Sequence, residues 1–261
     1  RDYFWQVIAN IRRCGVGYIK ISSYMARLST CFKHAEERGW IRQRPVMPSS
    51  SAFPLPEKRD LVLKQEWKDR LLYVMDDNVP YQQCTEFLML MGCRVEEMIT
   101  LPWERIDFEH GMVNFIKTKT TNPRRLAMGI QLHALLKRCH QRKRDTDTFR
   151  GLFPGIWRDE EQAYKSYYDY YKKKAMLVCR QLCLGPVVED EWCIHTMRHT
   201  RITEIAFLPG VTTAALMEWS GHTSLKIVQR YIHGAGKGTQ MIVDIEDSQQ
   251  FSERNQSGLP C

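Results

Sequence analysis

Apolar residues recur at helical spacing along most of the chain. The pattern over residues 22–40 predicts an amphipathic helix that ends at Gly39, since glycine favours the end of a helix. The same periodicity predicts helices over residues 66–76 and 81–91, and around the apolar set from Leu132 to Cys139. Further helices are expected in the C-terminal half, over residues 160–184, 196–208, 212–219 and 224–232.

Two short segments alternate instead between apolar and polar residues, which is the pattern of half-buried strands. They cover residues 111–117 and 125–130, and a polar turn over residues 118–124 joins them. Because the rest of the pattern is helical, the sequence predicts a mainly α fold with a small antiparallel β-sheet, in the α+β class.

A stretch rich in proline and serine separates the first predicted helix from the rest. Residues 44–56 contain four prolines and three serines, a composition that disfavours both helices and central strands and is typical of linkers. We therefore expect three parts: a helical segment with the linker over residues 1–53, a main domain over 54–236 and a tail over 237–261.

The net charge of +8 is unevenly distributed over the 261 residues. Residues 1–56 carry nine Lys/Arg and three Asp/Glu, whereas residues 241–261 carry four acids and one arginine. Basic character at one end indicates an anionic partner there, although a charged, solvated surface explains a net charge of this size equally well. The tail is not expected to touch a polyanion.

Apolar runs and cysteines indicate the compartment. No apolar run exceeds five residues, as from Phe87 to Met91, so we expect a soluble chain without a membrane span. The nine cysteines form no Cys-x-x-Cys pair, which favours reduced thiols and a cytoplasmic location. A metal held by Cys193, His195 and His199 would lack a fourth ligand nearby, so no metal site is predicted.

Three short motifs carry groups that are suited to chemistry. In the first, Arg94 and Glu97 lie three residues apart and would share one face of a helix. In the second, His195 and Arg198 have the same spacing. Each alone has an ordinary structural interpretation, as a solvated ion pair or as a basic edge of a helix.

The third motif is Ser220-Gly-His222, followed nine residues later by Tyr231. Tyr231 by itself would be read as a core aromatic residue, because it shares a helix face with Ile227. Its place in the order of motifs changes that interpretation. The motifs occur in the order Gly-x-Arg-x-x-Glu, a lysine in a strand turn, His-x-x-Arg, Gly-His and Tyr. Together they resemble the tyrosine recombinase, or phage integrase, family over about residues 57–234.

The chemistry explains the choice of residue types. Breaking a DNA phosphodiester without a metal requires positive groups that neutralise the negative charge of the phosphate, a nucleophile, and an acid for the leaving oxygen. Arg94 and Arg198 suit the first task, since a guanidinium holds two oxygens and keeps its proton. A tyrosine needs a nearby base in a positive pocket, because its ordinary pKa is about 10. His195 and the two arginines would supply both.

The resemblance implies the remaining roles. Tyr231 would attack phosphorus and form a 3′-phosphotyrosyl link, so that neither ATP nor any other cofactor is needed. His222 would donate a hydrogen bond to a non-bridging oxygen, and Glu97 would brace the site from behind. The general acid would be Lys119 in the turn, with Lys117 as the alternative, since both would point to the same face of a strand.

Some features depart from the family pattern. Thr196 stands where an aspartate is common, and Ser220 where a leucine is common before Gly-His. Residues 1–53 resemble only the last helices of the family's core-binding domain, so the resemblance leaves complete clamping of DNA by this chain open.

The resemblance implies a site-specific recombinase, or integrase, of a mobile element. Its expected partners are double-stranded DNA with a recombination site, three further copies in a homo-tetramer and accessory DNA-bending proteins. The tail over residues 237–261 would dock on a neighbouring protomer or on its own chain. Two alternatives remain: a type IB topoisomerase, which relaxes DNA by similar chemistry, and a DNA-binding protein without catalysis. The complete set of Arg, Lys, His, Arg, His and Tyr argues against the second.

Overall fold

The structure is a computed structural model. It describes residues 2–49, 53, 61–116, 123–142, 151–152 and 160–232. The chain divides into two compact units, Arg1–Arg59 and Asp60–Cys261.

The described part of the first unit contains two helices around a small core. α1 spans Asp2–Arg13 and α2 spans Tyr18–Glu37. Ile8, Ile21, Met25 and Phe53 are the buried apolar residues of this core. The sequence pattern predicted only the second helix, and it placed the start of that helix four residues too late, since α2 begins directly after Gly17.

The second unit contains the remaining helices and the sheet of the described chain. Its helices are α3 Gln65–Val74, α4 Val79–Met91, α5 Val95–Ile99, α6 Ile130–Gln141, α7 Glu160–Gln181, α8 Gly185–Glu191, α9 Ile194–Ala206, α10 Thr213–Ser220 and α11 Leu225–Ile232. Its strands are β1 Ile106–Asp107, β2 Met112–Phe115 and β3 Arg124–Ala127, in the order β1-β2-β3 with antiparallel pairing throughout. The predicted α+β class is confirmed.

The register of the sheet corrects one detail of the sequence analysis. β3 begins at Arg124, which the sequence pattern had placed in the turn, and ends at Ala127, so that Ile130 begins α6 instead of ending the strand. Phe115 pairs with Arg124. Since side chains alternate along a strand, Arg124 and Leu126 face the interior, and the neighbouring Arg125 is exposed.

The core of the second unit surrounds α4 and α7. Phe87 of α4 is fully buried, as are Tyr167 and Tyr171 of α7. Both tyrosine hydroxyls have buried partners: the Tyr167 hydroxyl lies 2.8 Å from that of Thr85, and Tyr171 accepts a 2.8 Å hydrogen bond from the indole of Trp192. These two tyrosines of α7 therefore fill the core. They are not exposed for stacking on the bases of a nucleic acid.

None of the helices in the described part of the chain combines the length and apolar character that crossing a lipid bilayer requires.

Candidate active site

Two helix ends meet beside α9 and form the floor of the site. α4 ends at Gly92 and α10 ends at Gly221, and both glycines adopt left-handed backbone angles, with φ of 62° and 68°. The indole nitrogen of Trp219 donates a 3.0 Å hydrogen bond to the carbonyl of Met91 and so ties the two ends together. The last carbonyls of a helix lack partners within it and carry partial negative charge, so this floor suits a cation.

Arg198 of α9 is that cation. Its guanidinium donates hydrogen bonds to the carbonyls of Gly92 at 2.7 Å and of Ser220 at 2.6 Å, and the residue is 8% exposed. Burial, together with the positive charge of Arg94, lowers its pKa to about 10. Arg198 therefore remains charged at neutral pH, in an orientation that both helix ends fix.

Arg94 precedes α5 and is the more accessible arginine of the pair. Its side chain is 25% exposed, and its guanidinium lies 3.4 Å from a carboxylate oxygen of Glu97. Its backbone N–H donates a 2.8 Å hydrogen bond to the other oxygen of the same carboxylate. The predicted contact between Arg94 and Glu97 is thus seen, but Arg94 lies before α5 in extended conformation and does not share a helix face with Glu97, which holds the start of α5 from inside.

Glu97 has a second partner that the sequence analysis missed. Arg124 of β3 donates two hydrogen bonds to its carboxylate, at 3.0 and 2.8 Å, and both side chains are under 5% exposed. Burial would raise the pKa of Glu97, but the hydrogen bonds and charge of Arg124, with help from Arg94 and Arg198, lower it to about 2. Glu97 is therefore a buried carboxylate that stays ionised.

His222 follows Gly221 directly and lies against Arg198, with 3.2 Å between its Nε2 and a guanidinium nitrogen. Burial and the charges of Arg198, Arg94 and Arg124 lower its pKa to about 4. His222 is therefore neutral at physiological pH. A neutral imidazole can still donate one hydrogen bond, and whichever nitrogen carries the proton is set by its surroundings.

Tyr231 lies near the end of α11, and its ring contacts two histidines. The ring of His222 is stacked against it with centroids 5.8 Å apart, and the ring of His199 lies 5.2 Å away at a tilt of 42°. The side chain is partly exposed. The structure thus brings Tyr231 next to the arginine pocket through His222, and it adds His199, which the sequence analysis considered only as a metal ligand.

Not every predicted site residue joins this cluster. His195 is exposed on the first turn of α9, and within the described residues it shares no hydrogen bond or ring contact with the cluster. Lys119 and Lys117 lie outside the described residues, as does the tail over residues 237–261. The alternative metal site at Cys193, His195 and His199 receives no support, because the described residues contain no group of three metal-ligating side chains.

The two departures from the family pattern have local structural roles. The hydroxyl of Thr196 accepts a 3.0 Å hydrogen bond from the backbone N–H of Cys193 and donates one of 3.1 Å to the carbonyl of Glu191, so it fixes the start of α9. Ser220 is completely buried and offers its carbonyl to Arg198. A small side chain there lets α10 end close to α9.

The charge state of His222 gives a first prediction. In free protein, the imidazole should titrate with a midpoint near pH 4, well below the ordinary 6.5 of an unfolded chain, because the pocket is already positive. Proton NMR of the imidazole Cε1–H would measure the midpoint, with His222→Gln to assign the signal. Between pH 6.5 and 4 the unfolded chain binds a proton that the folded chain does not, so this histidine lowers stability as the pH falls. A midpoint at 6.5 or above would contradict the arrangement.

Comparisons with known proteins identify the family and the fold. The sequence model of the phage integrase family matches residues 62–237. Tn1549 transposon integrase in complex with circular intermediate DNA has a similar structure, with a TM-score of 0.72, 17% identity and coverage of 93% of this chain and 84% of that one. A lambda integrase dimer bound to a COC′ core site has a TM-score of 0.65 and 14% identity, with coverage of 89% of this chain and 79% of that one. XerA recombinase has a TM-score of 0.55 and 18% identity, with coverage of 76% of this chain and 70% of that one.

No curated protein sequence matches the chain. The family match nevertheless spans well over half of the residues and contains every member of the cluster described above. The structural likeness shows a shared fold. The chain therefore belongs to the phage integrase family, and it is a tyrosine recombinase.

Proposed function

We propose that this recombinase cleaves and rejoins double-stranded DNA at a specific site through a 3′-phosphotyrosyl link to Tyr231. One observation carries the proposal: Arg94, Arg198 and His222 share one pocket, and Tyr231 stacks on His222 at its side. Each group has a task in transfer of a phosphate from one oxygen to another.

The charge in the pocket suits a phosphate that gains negative charge in the transition state. Arg94, Arg124 and Arg198 surround His222, and Glu97 is the carboxylate among them. Since Arg124 and Glu97 are paired with each other, the charges of Arg94 and Arg198 remain for the non-bridging oxygens. Preorganised cations in a pocket shielded from water are among the strongest contributions to such catalysis.

The covalent step forms one bond to phosphorus for each bond that it breaks. The Tyr231 oxygen attacks phosphorus, the bond from phosphorus to the 5′ oxygen breaks, and the tyrosine proton passes to a base. The 5′ oxygen then takes a proton from an acid and leaves as a hydroxyl. Attack of a 5′-hydroxyl from another strand on the link reverses these steps, so neither ATP nor metal is required.

We assign the proton transfers as the family resemblance implies. Lys119 would protonate the 5′ oxygen, with Lys117 as the alternative. His195 would accept the tyrosine proton. His195 is exposed on α9 and does not contact Tyr231 in the described residues, so this role requires that the two meet when DNA is bound.

The assembly and the compartment belong to the same proposal. Recombination exchanges strands between two sites, so four copies would act on DNA as a homo-tetramer, with accessory DNA-bending proteins. Tn1549 integrase is seen in complex with circular intermediate DNA, and lambda integrase as a dimer bound to a COC′ core site. The eight cysteines in the described residues are all free thiols, which fits a reducing compartment such as the cytoplasm.

The proposal predicts a covalent protein–DNA adduct. The protein would be incubated with nicked fragments that are enriched in its recombination site, because a nick lets the short 5′-ended piece diffuse away and traps the link. We expect an adduct that survives denaturation and forms equally well in EDTA, with Tyr231 in the DNA-linked peptide. Salt-sensitive binding without any adduct would contradict catalysis. Relaxation of supercoiled plasmid without exchange of strands would favour a topoisomerase activity.

A further inference from the structure

Arg124 is buried beside the catalytic pocket, yet it has no access to a bound phosphate. Its side chain is 4% exposed, two of its N–H groups bind Glu97, and its guanidinium lies 4.4 Å from the centre of the Phe115 ring. A cation enclosed by a carboxylate and an aromatic face cannot reach DNA. Any effect on catalysis must therefore pass through the groups that it holds.

Glu97 is the shared partner of two arginines. Both of its oxygens accept hydrogen bonds from Arg124 at 3.0 Å or less, whereas the nearest guanidinium nitrogen of Arg94 is 3.4 Å away. The geometry thus favours Arg124 as the ion-pair partner and leaves Arg94 with a weak contact. The 25% exposure of Arg94 leaves its guanidinium within reach of a ligand.

The backbone around Arg124 is adapted to this pairing. A Cβ added to Gly221 would lie 2.9 Å from the Nη1 atom of Arg124, so a larger residue there would require the guanidinium to shift from its place beside the turn that carries His222. The turn adopts φ of 68°, which other residues rarely do. The bound guanidinium therefore also supports the position of His222.

We propose that Arg124 is a positioning residue that keeps Glu97 from neutralising Arg94, and so preserves Arg94 for the phosphate of the DNA. This inference rests on the proposed function of the pocket. It assigns to the buried ion pair a role in controlling where negative charge lies within the site.

The proposal predicts how Glu97 and Arg94 change when Arg124 is replaced by an uncharged residue. In Arg124→Met, Glu97 would remain ionised at neutral pH, since the Arg94 backbone N–H and the charges of Arg94 and Arg198 still favour its charged form. The freed carboxylate would then pair with Arg94 and compete with the DNA phosphate. Removing the charge of Glu97 as well should return Arg94 to its task.

Single-turnover cleavage of the nicked site by saturating protein tests this. Arg124→Met should slow adduct formation at least about tenfold while the affinity for the site stays within about threefold. The double variant Arg124→Met/Glu97→Gln should cleave faster than Arg124→Met alone, by about threefold or more. Arg125→Met is the matched control: this neighbour points outwards, its side chain is 55% exposed, and the variant should cleave as the wild type does.

Loss of a buried cation also lowers stability, so the thermal midpoint of each variant is measured and cleavage is assayed well below it. If Arg124→Met does not fold, Arg124→Gln and Arg124→Gln/Glu97→Gln replace the pair, with the same order of rates expected because glutamine also removes the charge that holds Glu97. A double variant that cleaves no faster than the single one overturns the proposal, as does wild-type cleavage by Arg124→Met. If the wild type itself forms no adduct, the proposed function fails, and that failure is distinct from these outcomes.

Discussion

Tyr231→Phe is expected to bind site DNA as the wild type does and to form no covalent adduct with it. The change removes one oxygen and retains the ring that packs between His199 and His222, so folding and the shape of the pocket are preserved. Without that oxygen there is no atom to attack phosphorus. We expect adduct formation to fall by at least about 10⁴-fold, as on removal of a covalent nucleophile in other enzymes.

The measurement is denaturing electrophoresis of labelled nicked DNA, with native gel shifts on the same mixtures to follow binding. Tyr73→Phe provides the control. This tyrosine lies on α3 with 64% exposure, and loss of its hydroxyl should leave the adduct unchanged. An undiminished adduct from Tyr231→Phe would remove Tyr231 as the nucleophile and require a search for another hydroxyl near Arg198.

Local periodicity predicted most of the helices, because the residues that form the apolar face of a helix lie within about ten consecutive positions. It also placed Arg94 next to Glu97, although the two meet because Arg94 caps the start of α5 and not because they share a helix face. α1 was missed. Its apolar residues Phe4, Ile8 and Ile11 nevertheless recur at helical spacing and pack together in the core of the first unit.

Arg124 shows what the sequence could not provide. It is 27 residues from Glu97, and their contact depends on the register that pairs Phe115 with Arg124 across the hairpin. A polar residue within a predicted turn is typical of solvent exposure, so its burial went unpredicted. The one available signal was the pair Arg124-Arg125 at the start of an alternating segment, in which one of the two must face inwards.

The position of the two histidines of α9 is a second case. His195 and His199 are one turn apart on α9, and the motif alone singled out the first. Which of them meets Tyr231 depends on how α11 packs against α9, a contact between segments about 30 residues apart. In the structure His199 makes that contact. The role of His195 remains a prediction that the complex with DNA would test.

Arg198→Ala is expected to bind site DNA with nearly normal affinity and to lose at least about 10²- to 10³-fold in the rate of cleavage, the cost of removing one preorganised charge donor from a transition state. Binding rests on many phosphate contacts, of which this is one, whereas the charge that develops during cleavage has few partners. Single-turnover adduct formation at saturating protein separates the two. Arg198→Lys should recover little, because an ammonium lacks the planar fork whose separate nitrogens reach both carbonyls and can also face a phosphate.

Arg201→Ala is a control that separates the loss of a charge needed for cleavage from the loss of hydrogen bonds that hold the end of α4. Arg201 follows one turn later on α9 and donates a 3.0 Å hydrogen bond to the carbonyl of Leu90, much as Arg198 does to that of Gly92. Both variants leave carbonyls at the end of α4 without their donor, which costs about 1–3 kcal/mol for each such group, so both should unfold at a lower temperature. Only Arg198→Ala removes a charge that faces His222 and the phosphate. Equal losses of cleavage in the two variants would mean that Arg198 acts by holding the helix ends, and near-normal cleavage by Arg198→Ala would exclude it from the reaction.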